Sequence, residues 1–245
     1  MSDDTTSAET ANAAREKADR PRDAAALIVV DHSTGEPRAL MGRRRPDLVF
    51  LPNKFVFPGG RVDRADYTAA AAGELDTTQT ARLLINMKGT PSEARARGLA
   101  LAAVRETFEE AGLLIGDRRE GAGGPGRASG GWPEFHALGV MPRLSGLTFI
   151  ARAITPPGRP RRYDTRFFTV EASEIAHRVE IGDGELSALD WFTLDDMRSL
   201  DLPGITRVVI EDLADWLKVG MPRARALPVP FYFHKNGTFE RVMLS

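Results

Sequence analysis

The stretch TPSEARARGLALAAVRETFEEAG carries the strongest helix signals in the chain and constrains every fold that the chain could adopt. Thr90 is a favourable N-cap, Pro91 suits the first helical turn, and Glu93 has the spacing that closes a capping box. Gly112 can take the left-handed conformation that ends a helix. These signals predict one long helix over residues 91–111.

Three glutamates gather on one side of this predicted helix. At about 100° per residue, Glu106, Glu109 and Glu110 lie opposite Val104. Like charges one turn apart and the negative C-terminal end of the helix dipole both oppose such a cluster. Carboxylates that converge from one turn suit Mg²⁺ or Mn²⁺. A solvated face of an ordinary amphipathic helix explains the same pattern, and helix geometry alone leaves both interpretations open.

Apolar runs and turn residues on both sides of the long helix predict an α/β fold. AAALIVV and RALMGRR, joined by turn residues, predict an opening β-hairpin, and KFVFP leads into Gly59 and Gly60. Farther along, LTFIARAI, TRFFTV and LDWFTL are typical of strands, and ITRVVIEDLADWLK has the periodicity of an amphipathic helix. Residues 228–244 predict a C-terminal hairpin that turns at Asn236 and Gly237.

The segment boundaries predict one domain with a tail, an insertion and a loop. Residues 1–22 are polar and lack an apolar stripe, so we expect a disordered or loosely helical tail before a single domain over residues 23–245. Residues 67–90 look like an insertion that crosses the surface, in which DTTQTARLLINM has the capping-box spacing of a short helix. The segment GAGGPGRASGG, residues 121–131, predicts a flexible surface loop.

Composition and charge exclude several classes of function. The 33 Lys and Arg residues nearly balance the 34 Asp and Glu residues, so no overall positive field attracts nucleic acid or an anionic membrane. The absence of cysteine excludes disulfides, thiolate metal sites and cysteine nucleophiles. With no signal-peptide pattern and no apolar run of membrane-spanning length, we expect a soluble, cytoplasmic protein without nucleic-acid or membrane partners.

The long helix and the glycines before it resemble a known family. RETFEEAGL, from Arg105 to Leu113, looks like the second half of the Nudix box, G-x5-E-x7-R-E-U-x-E-E-x-G-U, where U is apolar. Gly60 then takes the first glycine position and Asp66 the glutamate position, while Thr107 replaces an apolar residue. A stretch of 38 residues replaces the spacer of seven. Closing that longer loop adds about 1 to 2 kcal/mol, which leaves the site possible.

The resemblance implies a Nudix-type α/β/α sandwich with a mixed central sheet. The combination of FPGG, an insertion, RETFEEAG and RRYDTRFF looks like the Nudix branch that contains acyl-CoA diphosphatases, over roughly residues 24–200. The implied activity is metal-dependent hydrolysis of a diphosphate bond in a nucleoside diphosphate linked to another moiety. The first candidate for this small-molecule substrate is CoA or acyl-CoA.

The same resemblance implies the residues of a site. Glu106, Glu109 and Glu110 would bind Mg²⁺ or Mn²⁺, and Gly60 could offer a backbone carbonyl to the metal. Arg105 would hold the glutamates in place by ion pairing. In this scheme Glu106 is either the base or a ligand of the metal that activates water.

A later part of the chain supplies candidates for the remaining roles. The resemblance makes Glu185 the first candidate for a general base and Glu180 the second, although either could be an ordinary loop carboxylate. Arg161, Arg162 and Arg166 could contact substrate phosphates, and a solvated basic edge is the alternative.

Other functions remain open at this point. The box does not rank CoA derivatives against NDP-sugars, ADP-ribose or dinucleotides. A Nudix-fold binding or regulatory module without turnover, or a carboxylate-rich structural helix in an unrelated protein, would also carry these residues. Whether Asp66 serves the site or only a loop is a further question. Exposed strands such as FYFHK could pair between two chains in a homodimer.

Overall fold

A computed structural model describes most of the chain, in four segments: residues 20–119, 127–128, 131–182 and 184–245. Most of the expected tail therefore lies outside the described residues, and the first strand begins at Arg22, the last residue of that tail. The predicted loop over residues 121–131 also lies mostly outside them.

Strands and helices are interspersed along the described residues, as expected of an α/β fold. The strands are β1 (Arg22–Asp31), β2 (Arg38–Arg44), β3 (Phe55–Val56), β4 (Gly59–Arg61), β5 (Leu113–Arg118), β6 (Arg127–Ala128), β7 (Val140–Pro142), β8 (Thr148–Ile154), β9 (Tyr163–Glu171), β10 (Ile175–Arg178), β11 (Glu180–Ile181), β12 (Leu186–Thr193), β13 (Val229–Lys235) and β14 (Thr238–Leu244). The α-helices are α1 (Thr77–Leu84), α2 (Glu93–Ala111), α3 (Gly131–Ala137), α4 (Leu194–Ser199), α5 (Gly204–Val219) and α6 (Met221–Ala224).

The centre of the fold is a mixed sheet of nine strands. Its order is β12-β2-β1-β9-β8-β13-β14, with β3 paired to β2 and β4 paired to β1. Strands β1 and β2 form the predicted opening hairpin, while β1 and β9 run parallel. The C-terminal hairpin of β13 and β14 is also confirmed, and both turn residues, Asn236 and Gly237, have positive φ, as a two-residue hairpin turn favours.

Helices cover both faces of this sheet. Successive residues of β1 point to opposite faces, so Leu27 joins the core beneath α2 with Phe108, whereas Ile28 joins the core beneath α5 with Leu213. Both sides of β1 are buried, which explains its almost continuous apolar sequence. The predicted α/β/α sandwich with a mixed central sheet is confirmed. No helix in the described part of the chain is long and apolar enough to cross a membrane.

The long helix α2 ends where the sequence predicts and begins two residues later. Gly112 has φ of 66° and its N–H donates to the carbonyl of Phe108, so it forms the predicted left-handed cap. The predicted N-cap at Thr90 is wrong, because the Ser92 side chain accepts from Arg95 N instead. Ser92 has the extended backbone of an N-cap, with φ of −157° and ψ of 151°, so Pro91 lies before the helix rather than in its first turn.

The insertion is part of the core rather than an excursion over the surface. Its predicted short helix is confirmed as α1, whose N-cap Asp76 accepts from Gln79 N at 2.8 Å. Leu83 and Met87, however, are 1% and 5% exposed and pack into the core beneath α2. The Gln79 side chain is also buried and accepts from Phe149 N in β8. The expected surface course is therefore wrong, because the insertion supplies apolar side chains that cover the sheet.

Candidate active site at the start of β4 and the end of α2

The two halves of the glutamate motif, which are Gly60 to Asp66 and Arg105 to Leu113, meet at the glycines of β4. Gly59 N donates to Glu110 Oε2 at 2.8 Å. A Cβ atom at Gly60 would lie 2.5 Å from the Glu106 carboxylate, so any side chain there would collide with it. Glycine therefore lets the backbone approach two carboxylates that are far away in sequence.

Arg105 lies at the centre of the acidic residues. Its Nη1 is 2.9 Å from Glu106 Oε1 and 3.0 Å from Glu109 Oε2. Its Nε and Nη2 donate to the two oxygens of Asp66 at 2.8 and 3.0 Å, and Nη2 also donates to the Arg61 carbonyl. The side chain is almost fully buried, so this single guanidinium fixes three carboxylates relative to one another.

Asp66 accepts from Nε and Nη2 of Arg105, whereas Glu106 and Glu109 both lie at Nη1. Asp66 is fully buried, and besides Arg105 it accepts from Asp63 N at 2.7 Å and from Trp132 Nε1 at 2.9 Å. Both of its oxygens are therefore occupied.

Thr107 stands where the Nudix box has an apolar residue. Its hydroxyl is buried and donates to the Ala103 carbonyl at 2.8 Å, so the helix accommodates it.

Glu110 is buried, and Glu106, which pairs with Arg105, is partly buried. Burial is the main reason that the pKa of Glu110 is raised to about 8, and the nearby Glu106 carboxylate raises it further. Burial likewise raises the pKa of Glu106 to about 7, although Arg105 opposes the shift. Two carboxylates in this environment repel each other when both are ionised. A cation placed between them would offset that repulsion.

Arg44, at the end of β2, connects Glu110 to the predicted base. Its Nη2 donates to Glu185 Oε2 at 3.0 Å, and its Nη1 is 4.0 Å from Glu110 Oε1. Its Nε donates to the Phe50 carbonyl at 2.9 Å, so the guanidinium is fixed on all sides. The sequence analysis missed Arg44, because only the pairing of β2 with β12 brings it to this place. Glu180 lies instead in the short strand β11.

The three predicted phosphate contacts occupy different environments. Arg161 is exposed, and Arg162 donates to the Thr155 carbonyl at 3.1 Å. Arg166 is fully buried and pairs with Asp23 and Asp164 at 3.2 and 3.0 Å. The prediction of a substrate contact at Arg166 is not supported by this placement, because the strand turns that side chain into the covered face of the sheet.

Comparison with known proteins supports the resemblance. No protein-family model matches the chain. It is 30% identical over 189 residues to the acyl-coenzyme A diphosphatase NUDT19 of Gallus gallus, covering 58% of this chain and 50% of the relative. It is 29% identical over 178 residues to a Caenorhabditis elegans protein that carries the name nudix hydrolase 7, covering 69% and 50%.

A solved structure agrees with these relatives. A NUDIX hydrolase from Alicyclobacillus acidocaldarius has the same fold, with a TM-score of 0.56 and 24% identity over 78% of this chain and 90% of that one. The chain is therefore similar to Nudix hydrolases in sequence and has the fold of a solved one. It spans about half the length of the curated relatives that it matches.

The glutamates at the end of α2 fit a divalent cation by their chemistry. Glu106 and Glu110 offer hard oxygen atoms, and their repulsion is relieved by positive charge. Both oxygens of Glu109 are engaged, Oε2 by Arg105 and Oε1 by Gly131 N at 2.7 Å. Among the described residues, no three His, Asp or Glu side chains are arranged to hold a metal ion. To bind a cation together with Glu106 and Glu110, Glu109 would therefore have to give up its hydrogen bond to Arg105 or to Gly131 N.

Proposed function

We propose that the chain is a metal-dependent hydrolase that cleaves a diphosphate bond in a nucleoside diphosphate linked to another moiety. The observation that carries the proposal is the pair of Glu106, partly buried, and Glu110, buried, which converge beside two glycines of β4 and repel each other when both are ionised. A purely structural helix has no reason to place two repelling carboxylates there. An anionic diphosphate also needs a cation to approach them.

The residues divide the work of the reaction. Glu106 and Glu110 would hold Mg²⁺ or Mn²⁺, with Glu109 as a third candidate, and Arg105 orients Glu106 and Glu109. When bound, the metal would neutralise phosphate oxygens and make a water molecule more acidic. Gly60 keeps the space beside Glu106 free of a side chain.

Glu185 is the proposed general base. Its carboxylate is 57% exposed and paired with Arg44, so it lies at the edge of the site and is accessible to water. A water molecule that attacks phosphorus would pass its proton to this carboxylate as the bridging P–O bond breaks. Arg44 keeps Glu185 near Glu110 during this step.

The proposed substrate class is CoA or an acyl-CoA. The relative from Gallus gallus is named as an acyl-coenzyme A diphosphatase, and that name favours this choice for the present chain. Addition of water across the diphosphate bond would give a phosphopantetheine-type product and adenosine bisphosphate. Arg161 and Arg162, at the start of β9, are the proposed contacts for substrate phosphates.

A substrate panel tests the activity and the choice of substrate together. The pure protein is incubated with CoA, acyl-CoA, NDP-sugars, ADP-ribose and dinucleotides, each with Mg²⁺, Mn²⁺ or EDTA, and products are identified by mass. We expect metal-dependent cleavage, fastest for the CoA derivatives. Faster cleavage of NDP-sugars, ADP-ribose or dinucleotides would contradict the proposal that CoA derivatives are the substrates. Binding without cleavage across the panel would identify a binding or regulatory module instead.

A further inference from the structure

The first turn of α3 contacts the acidic residues at two points. Gly131 N donates to Glu109 Oε1 at 2.7 Å, and Trp132 Nε1 donates to Asp66 Oδ1 at 2.9 Å. Trp132 is 5% exposed and Asp66 is fully buried, so water hardly competes for the second bond. Neither Gly131 nor Trp132 belongs to the glutamate motif. Both nevertheless contact residues that the motif uses.

Each oxygen of Asp66 is fixed from two directions. Oδ1 accepts from Arg105 Nε and from the indole of Trp132, and Oδ2 accepts from Arg105 Nη2 and from Asp63 N. A carboxylate held only by Arg105 could rotate and take the guanidinium with it. With Trp132 and Asp63 behind it, the Asp66 plane is fixed, and so is the direction in which Arg105 points.

The indole of Trp132 is itself held by packing. Its ring lies 5.3 Å from Phe135 and stacks on His136 at 5.7 Å between centroids. Phe135 packs edge-on against Phe108 of α2 at 5.4 Å. Helix α3 is therefore locked to α2 by aromatic contacts, and the indole N–H is the group that extends from this packing to the acidic residues.

We propose that Trp132 is a positioning residue for the metal-binding glutamates, acting through Asp66 and Arg105. This inference rests on the proposed function, because it concerns the affinity of the same site for its divalent cation. A residue needed only to fill the core would serve as well if it were phenylalanine. An indole whose N–H donates to a buried carboxylate has a polar role that phenylalanine lacks.

The decisive experiment compares Trp132→Phe with Phe135→Leu. Both variants disturb α3 packing, but only the first removes the hydrogen bond to Asp66. Mn²⁺ affinity is measured by calorimetry, thermal unfolding without metal reports stability, and kcat and KM are measured on the substrate found in the panel. We expect Trp132→Phe to weaken Mn²⁺ binding by about 10-fold, as the loss of outer-shell partners does, and to lower kcat more than it raises KM.

Phe135→Leu should lower the unfolding temperature and leave Mn²⁺ affinity within about 2-fold of the wild type, because it keeps the indole N–H. In an Asp66→Ala background, which has no side-chain oxygen to accept from the indole, Trp132→Phe should have little further effect on Mn²⁺ binding. Unchanged affinity in Trp132→Phe, or equal losses in Trp132→Phe and Phe135→Leu, would overturn the positioning role. A wild type that binds no Mn²⁺ would instead overturn the proposed function and this inference with it.

Discussion

Two groups of buried charges lie on the α2 side of the sheet, and their charge balance differs in sign. The acidic cluster contains Asp66, Glu106, Glu109 and Glu110 around Arg105. The basic cluster contains Arg95, Arg152 and Arg166 around Asp23 and Asp164. The first has an excess of carboxylates and the second an excess of guanidinium groups.

Backbone carbonyls accept hydrogen bonds from two arginines of the basic cluster, whereas Nε and Nη2 of Arg166 are buried without a hydrogen-bond partner. Arg152 donates to the carbonyls of Ile85 and Asn86, and Arg95 donates to the Lys88 carbonyl, all at the end of the insertion. These bonds tie the insertion to the sheet.

In the acidic cluster, three carboxylates share the single guanidinium of Arg105. Glu110 accepts one hydrogen bond, from Gly59 N, and lies 4.0 Å from Arg44. Buried charges that hydrogen-bond to the backbone stabilise the fold. Buried charges with fewer such partners remain available to a ligand.

The largest expected effect is on stability, from the basic cluster. Arg152→Met would remove the pair with Asp164 and the bonds to the insertion, at a cost of about 3 kcal/mol in the free energy of unfolding. Denaturant unfolding measures this cost, and Arg97→Met, which breaks a surface pair with Glu74, is the control and should cost about 1 kcal/mol or less.

Activity per folded molecule should stay near the wild-type value in Arg152→Met. The arginine lies among structural partners, with no contact to the acidic cluster in the residues that the structure describes. A large loss of activity in a folded Arg152→Met protein would end the functional separation of the two clusters.

The second effect is on catalysis, from the acidic cluster. Glu106→Gln should lower kcat by about 10²-fold or more, because the neutral amide binds a divalent cation poorly. The unfolding temperature without metal should change little, since the substitution removes both the repulsion between Glu106 and Glu110 and the ion pair of Glu106 with Arg105. Glu93→Gln, at the exposed start of the same helix, is the control. A stable variant with wild-type turnover would remove Glu106 from the site.

A smaller loss of catalytic rate is expected from a substitution at the edge of the acidic cluster. Arg44→Gln should lower kcat by about 10-fold, because Glu185 loses the ion pair that keeps it near Glu110. Arg43→Gln is the matched control, since this neighbouring arginine contacts Asn53 instead. If both substitutions leave the rate unchanged, Arg44 and Glu185 have no part in proton transfer, and the base lies elsewhere.

Local patterns in the sequence predicted the elements that carry both clusters. The strands β1 and β2, the C-terminal hairpin and the end of α2 at Gly112 follow from apolar runs and from turn residues whose effects are local. The short helix of the insertion follows from its cap at Asp76. The resemblance of RETFEEAGL to the Nudix box predicted the similarity to Nudix hydrolases that the comparisons found.

Contacts between distant residues could not be predicted in this way. Trp132 meets Asp66 across 66 positions, and Arg44 meets Glu185 across 141, so no local pattern records either contact. Arg166, expected at a phosphate contact or a solvated basic edge, lies instead on a covered face of β9, which the local sequence does not record. The core position of the insertion likewise depends on side chains such as Leu83 that only the folded chain brings to the sheet.

The smallest expected effect is a pH dependence that separates the two clusters. Burial raises the folded-state pKa of Glu110 from 4.5 to about 8 and that of Glu106 to about 7. Between pH 4.5 and 8 the folded protein therefore keeps protons that the unfolded chain has released, and the stabilising contribution of these groups is lost as pH rises. Burial lowers the pKa of Arg166 in the basic cluster to about 10, above this range.

Thermal unfolding in EDTA should show this contribution as a fall in unfolding temperature from pH 5 to pH 8. The fall should be shallower in Glu106→Gln, which removes one titrating group and the repulsion that it exerts on Glu110. Added Mg²⁺ should raise the unfolding temperature more at pH 8 than at pH 6, because ionised carboxylates bind it and protonated ones do not. Equal slopes in the wild type and Glu106→Gln, with a pH-independent Mg²⁺ effect, would show that the acidic cluster is neutralised within the fold.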